Sequence, residues 1–181
     1  ISGATDSVYE IGIVDEADRG IYQVKASNKG GRATSAESKL SVSIAPRLVR
    51  SIEDAELLAG STLNLQVSAS GTKPLTYNWY RGGDLYSSGS DSELRIVDVT
   101  GQDAGFYQVE VVNAVGKAIS TLIEVSVVEP VAVVKQPVDT TVIQGANAVL
   151  TIQASGSEPV SYQWYQNGTK VAGGTRASLN I

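Results

Sequence analysis

The sequence predicts an all-β protein made of tandem two-layer β sandwiches. Apolar residues recur at every second position rather than at helical spacing, and clusters of Gly, Pro, Asn and Ser interrupt them at short intervals. The whole pattern also restarts every 85 residues. Short alternating runs separated by turn chemistry, without one long helical pattern, are the signature of a sandwich or barrel.

The repeat sets the frame, because a missed period miscalls the fold. Asp18-Arg19-Gly20-Ile21-Tyr22-Gln23-Val24 returns as Asp103-Ala104-Gly105-Phe106-Tyr107-Gln108-Val109, and Asn28 and Gly31 return as Asn113 and Gly116. At the same offset Gly60, Leu65, Ala69, Gly71, Pro74, Tyr77, Trp79 and Tyr80 return as Gly145, Leu150, Ala154, Gly156, Pro159, Tyr162, Trp164 and Tyr165. No gap is needed. The natural joints are Ala45-Pro46 and Glu129-Pro130, each after an alternating run (Leu40 and Val42; Val125 and Val127), where a Pro suits a strand end or sheet edge. Residues 45–129 are then one whole unit, residues 1–44 the C-terminal half of another, and residues 130–181 the N-terminal half of a third. Residues 1–11 and 171–181 occupy the same place in the repeat.

Within the whole unit, Leu63, Leu65, Val67 and Ala69 alternate with polar residues as in a half-buried strand. Tyr77 and Trp79 share a face, as do Leu94 and Ile96, and as do Tyr107, Val109 and Val111. Turns are expected at Gly71–Pro74, Arg81–Asp84, Ser87–Ser92, Gly101–Asp103 and Asn113–Gly116.

A strand of alternating Leu, a Trp about a dozen residues on, then Asp-x-Gly-x-Tyr-x-Val and Asn-x-x-Gly, resembles an immunoglobulin sandwich. The resemblance implies a buried Trp on the third strand, here Trp79 and Trp164, and a tyrosine corner, here Tyr107 and Tyr22. The positions of the family's inter-sheet disulfide hold Val67 and Val109, with Ile152 and Val24 in the partial copies. These eight residues are the expected structural core. The stretch from Ala69 to Tyr80, repeated from Ala154 to Tyr165, is similar to Cys-free immunoglobulin-like repeats in large bacterial surface and secreted proteins, which implies an extracellular or cell-surface setting.

Composition narrows the chemistry. The 181 residues include no Cys, His or Met, which removes disulfides, thiol nucleophiles, Cys/His zinc sites and imidazole triads. Nineteen acidic against fourteen basic residues leave a net charge of -5, unsuited to a phosphate-binding surface. No run reaches the ~18 apolar residues of a membrane span. Ile1 follows neither an initiator Met nor a charged-then-apolar leader, as at the start of an excerpt or a processed chain.

The individual polar candidates read as structure. Asp18 and Asp103 each precede a corner Tyr by four residues, where a carboxylate accepts turn amides. Asp15, Glu16 and Asp18 could gather around calcium, but their counterparts Thr100, Gly101 and Asp103 do not repeat the cluster. Glu53, Asp54 and Glu56 suit an exposed acidic sheet edge. Asn167-Gly168-Thr169 matches a glycosylation sequon, yet Asn-Gly is equally a two-residue hairpin turn. Tyr80, Tyr86 and Tyr165 are candidate binding anchors, and the recurrence of Tyr80 as Tyr165 beside its Trp suits a shared structural role equally.

No phosphate loop, nucleophile elbow or paired-carboxylate cleft is present, so neither enzyme activity nor a cofactor or metal is expected. Short Pro-containing joints restrict bending more than Gly/Ser linkers do, and a constant period implies one repeated interface. The expected function is a segment of a semi-rigid extracellular rod, fibre or filament whose partners are neighbouring repeats, head to tail. The alternative is an adhesive module using Arg81-Gly82-Gly83-Asp84 or the Asn113–Gly116 hairpin; an intracellular muscle-type elastic array ranks last. Half-units would be completed by neighbours in the same polypeptide or, in a second account, by another chain.

Overall fold

A computed structural model describes residues 1–181. Four short strands come first: β1 (Gly20–Tyr22), β2 (Lys25–Asn28), β3 (Gly31–Thr34) and β4 (Ser38–Leu40). The central region holds β5 (Arg47–Arg50), β6 (Ala55–Leu58), β7 (Leu63–Gln66), β8 (Ser68–Ser70), β9 (Thr76–Arg81), β10 (Asp84–Gly89), β11 (Glu93–Ile96), β12 (Gly105–Val112), β13 (Lys117–Ile119) and β14 (Ile123–Val128). The last strands are β15 (Ala132–Lys135), β16 (Val149–Thr151), β17 (Gln153–Ser155), β18 (Tyr165–Gln166), β19 (Thr169–Lys170) and β20 (Ser178–Asn180).

Two layers enclose the core. One is the sheet β10-β9-β12-β14-β6, with β13 also paired to β12. The other is built from the pairs β5–β8 and β7–β11, bridged where the Val67 N–H donates to the Ser92 carbonyl (2.9 Å). β5 and β6 belong to different layers, so the chain changes sheet between them; β6 then runs parallel to β14, Ala55 opposite Val125. Asp54 secures this crossing by accepting the Glu124 N–H at 2.8 Å, and Glu56 stands exposed on the edge strand.

All thirteen buried hydrophobic residues lie between Ile52 and Val125 and form one cluster. Their placement follows from the period of two: along β12, Tyr107, Val109 and Val111 are each 0% exposed, while their neighbours face outward. Val109 pairs with Trp79 across β9–β12, and Val67 enters the same cluster from the opposite layer. The Trp79 indole N–H is buried without an acceptor, whereas that of Trp164 donates to the Arg176 carbonyl at 2.7 Å.

The corner at the start of β12 is built twice. The Tyr107 hydroxyl donates to the Asp103 carbonyl (2.8 Å), and that of Tyr22 to the Asp18 carbonyl (2.7 Å). The carboxylates of Asp103 and Asp18 accept the backbone N–H of Thr100 (2.9 Å) and Asp15 (2.8 Å), closing a short 3₁₀ turn. These acids therefore cap turns; within the Asp15, Glu16, Asp18 group, Asp18 is occupied in this way, the Asp15 carboxylate accepts the Ala17 N–H at 2.7 Å, and Glu16 pairs with Arg19 at 3.2 Å.

Two expectations need correction. Val24, expected in the core, is 59% exposed, and Tyr22, Ile152 and Trp164 are only half-buried. The reason is geometric: β1–β4 and β15–β20 form separate two-stranded pairs, and no second layer covers the faces that Val24 and its counterparts present. The first half of the expected Ser87–Ser92 turn is also strand, the turn itself being confined to Ser90–Ser92. Ser87, Ser88 and Gly89 pair with Trp79, Asn78 and Tyr77 after a bulge, because the free backbone groups of β9 offer a ladder that side-chain composition does not reveal.

The joints as candidate functional site

A repeated set of backbone-anchored hydrogen bonds lies where one 85-residue period meets the next. At the first joint the Thr72 N–H donates to the Ile44 carbonyl (3.0 Å), and the Ile44 N–H donates back to the Thr72 hydroxyl (2.8 Å). Asn113 completes the clamp: its side-chain amide donates to the carbonyls of Ile44 (2.7 Å) and Thr72 (2.9 Å). Its side-chain oxygen meanwhile accepts the N–H of Val115 (2.9 Å) and Gly116 (3.1 Å), which shapes the β12–β13 hairpin. The side chain thus uses both donors and its acceptor, which holds the amide in one orientation. Gly71 has φ +146°, and a Cβ there would sit 3.0 Å from the Pro46 Cα, so the close approach of backbone to backbone requires glycine.

The second joint repeats the arrangement at offset 85. The Ser157 N–H donates to the Glu129 carbonyl (3.0 Å) and the Glu129 N–H to the Ser157 hydroxyl (2.8 Å). Gly156, φ +140°, lies as close to the Val131 Cα. The Glu129 carboxylate also accepts the Gly101 N–H at 3.0 Å, tying the joint to the 3₁₀ turn before β12. Ser and Thr supply the same hydroxyl, which is why the clamp survives the change of residue. Thr72, Ser157, Asn113 and Gly71 escaped the sequence reading as joint residues; the offset aligning Gly71 with Gly156 was the available signal.

A further repeated feature was missed. The Ser120 hydroxyl accepts the Val109 N–H (3.0 Å) and donates to the Thr121 carbonyl (2.8 Å); Ser35 does the same for Val24 (3.1 Å) and Ala36 (2.8 Å). A small hydroxyl here satisfies backbone groups where the ladder shifts from β13 to β14.

The loop candidates are less available than their composition suggests. Arg81 is drawn to the Asp103 carboxylate (3.3 Å) and lies over the Tyr86 ring at 5.3 Å, so Arg81-Gly82-Gly83-Asp84 is a hairpin turn with its cation engaged. Asn167 (φ +50°) and Gly168 (φ +83°) form the corresponding two-residue turn between β18 and β19. Tyr86 meets Tyr107 edge-on, centroids 6.5 Å apart. Tyr165 is exposed. Tyr80 joins a polar cluster in which Glu110 accepts from Lys117 (2.7 Å), Asn78 (3.3 Å) and Tyr80 (3.4 Å). The Lys117 ammonium, then the Asn78 amide, holds the Glu110 carboxyl below its usual range, and Glu110 raises Lys117 in return. Burial pushes the Tyr107 phenol up, with Arg81 acting against it.

A split first strand, a tyrosine corner and a buried Trp between two such layers define an immunoglobulin-like sandwich, here within a tandem arrangement. Residues 46–127 match the immunoglobulin I-set domain family. The chain is 27% identical over 91% of its length to Protein sidekick-1 of Gallus gallus, covering 8% of that protein. It is 30% identical over 87% of its length to Peroxidasin homolog of Homo sapiens, covering 11% of it. It is 24% identical over 88% of its length to Muscle M-line assembly protein unc-89 of Caenorhabditis elegans, covering 2% of it. Each of these relatives is thus many times longer than the chain.

Among solved structures, the titin I-band fragment superposes with a TM-score of 0.72 at 23% identity, over 87% of this chain and 59% of that one. A Glu-to-Ala variant of the same titin region gives 0.75 at 22% identity, over 93% and 65%. These share the fold. The protein therefore contains an immunoglobulin-like domain of the kind found in multi-domain cell adhesion and muscle proteins, and nothing in it shows catalysis. No helix is long and apolar enough to cross a membrane.

Proposed function

We propose that the chain is a segment of an extracellular tandem immunoglobulin-like array acting as a semi-rigid rod. Residues 45–129 form its complete unit, and residues 1–44 and 130–181 are halves completed by neighbouring repeats, head to tail. The observation that carries this reading is the duplicated joint. Ile44 with Thr72, and Glu129 with Ser157, make the same pair of backbone-anchored hydrogen bonds, so successive units meet with one geometry. A joint held by reciprocal hydrogen bonds and a glycine contact bends less than a free linker. Engagement of Arg81 by Asp103 weighs against an adhesive role for its loop.

The extracellular setting is supported by relatives named as adhesion molecules, such as Dscam1 of Drosophila melanogaster. The bacterial setting rests on the sequence resemblance; the relatives described above are animal proteins. Two measurements test the proposal. Electron micrographs of the native particle should show extended beaded rods, and isolated globules carrying a saturable small ligand would overturn the rod. Membrane-impermeant labelling of intact cells should modify the surface lysines; labelling only after lysis would place the array inside the cell.

A further inference from the structure

The two joints share a backbone and carry opposite charge. A crevice of about 800 Å³ opens at the first joint, with Arg19, Lys39 and Lys73 against a single acid, Glu16. Arg19 is occupied by Glu16 (3.2 Å) and the Val42 carbonyl (2.8 and 3.1 Å), but the exposed Lys39 and Lys73 take part in no ion pair. At offset 85, Lys39 is replaced by Glu124, Lys73 by Glu158 and Ile44 by Glu129, while Arg19 becomes Ala104. Glu129 and Glu158 accept only backbone N–H groups, from Gly101 and Val160 (3.0 Å each), so no cation neutralises them. Beside each charged position stands an exposed apolar side chain at the same place in the repeat: Ile21, 66% exposed, opposite Lys39 on the β1–β4 ladder, and Phe106, 50% exposed, opposite Glu124 on the β12–β14 ladder. Both are therefore an apolar knob beside uncompensated charge, cationic in one and anionic in the other.

We propose that these surfaces dock on one another between two copies of this chain. The first joint of one copy, with Lys39 and Lys73 beside Ile21, seats against the second joint of the other, where Glu124 stands opposite Phe106 and Glu129 and Glu158 add to the negative charge. A whole sandwich core separates the two joints, so they do not meet within these 181 residues, and the complement proposed for each is a second copy. The apolar pair supplies the desolvated centre and the charges supply the rim that fixes partner and register. The inference shares with the rod reading only the repetition of joint geometry, and adds lateral association to it.

Sedimentation velocity of the 181-residue chain in low and high salt tests this, with two charge-reversed variants, Lys39→Glu/Lys73→Glu and Glu124→Lys/Glu158→Lys. All four side chains are exposed, so both variants should keep the parent's circular dichroism and melting profile. The expected result is self-association that weakens at least tenfold in 1 M NaCl, where the Debye length is about 3 Å. Each variant alone should lose association to the same degree, and an equimolar mixture should recover it. Association unchanged in either variant, or strengthened by salt, would overturn the proposal by locating contact at the open apolar faces of β1–β4 and β15–β20. A parent chain that stays monomeric at millimolar concentration in low salt, while binding an acidic peptide through Lys39 and Lys73, would overturn it in favour of a soluble anionic ligand. Neither substitution touches the Thr72 or Ser157 clamp, so failure here leaves the rod reading to its own test.

Discussion

Replacing Val67 and Val109 with a Cys pair tests the proposition on which the sandwich rests, that two aliphatic side chains from opposite layers stand where a disulfide would cross. Val67 is 2% exposed and Val109 0%, both in one cluster with Trp79. A bridge needs Cα atoms less than about 7 Å apart with facing Cβ vectors. Closing a loop of roughly 43 residues should remove denatured-state entropy worth about 4 kcal/mol at 25 °C. Each Val→Cys change gives up buried aliphatic volume, at a cost of about 0.5–1.5 kcal/mol apiece by analogy with removing one core methyl. The net is a stabilisation of about 1–3 kcal/mol for the oxidised form. The reduced form should be destabilised by the same about 1–3 kcal/mol that the volume change costs. At about 4–8 °C per kcal/mol for a core of this size, the oxidised melt should rise clearly above the parent and the reduced melt should fall below it. Thermal melts with and without reductant, alongside thiol titration, read both. Two free thiols after refolding under oxidising conditions, or an oxidised melt below the reduced one, would show that Val67 and Val109 do not face each other.

Three other outcomes are expected. Tyr107→Phe removes the hydroxyl donated to the Asp103 carbonyl at 2.8 Å and should destabilise the central sandwich by about 1 kcal/mol, measured by urea denaturation at constant m-value. Asn113→Ala deletes two hydrogen bonds to the Ile44 and Thr72 carbonyls, so hydrogen exchange at the Thr72 and Gly116 amides should accelerate while the core melts as before; unchanged exchange would mean the clamp does not restrain the joint. Glu110 has its folded pKa lowered by Lys117 and Asn78, so its contribution is present above the ordinary value of 4.5 and is lost as pH falls through the depressed one. Glu110→Gln should therefore flatten the melting-temperature decline below pH 4.5, and an identical decline in both proteins would remove Glu110 from the account.

Much of this was readable because it is local. Leu63, Leu65 and Val67 alternate with polar residues whatever surrounds them, and strand alternation alone assigns them to one face. Asp103 and Tyr107 are four residues apart, so their corner is written within a single turn. The Gly82-Gly83 and Asn167-Gly168 pairs declare hairpins by their tolerance of positive φ. The serine-rich strand β10 was not readable, since its pairing depends on the exposed backbone edge of β9 rather than on its own side chains.

By itself, the sequence determined the period, the sandwich and its Cys-free centre, because alternation, turn chemistry and self-similarity are properties of neighbouring residues or of one fixed offset. Only the tertiary structure decided which apolar residues are covered: Val109 and Val24 are the same residue at the same place in the repeat, yet one is 0% and the other 59% exposed, since burial requires an opposing layer. It also decided the joint, where Ile44, Thr72 and Asn113 meet across 28, 41 and 69 positions of sequence. Hydrogen bonds at such separations depend on where folding carries the backbone, and no local pattern announces them.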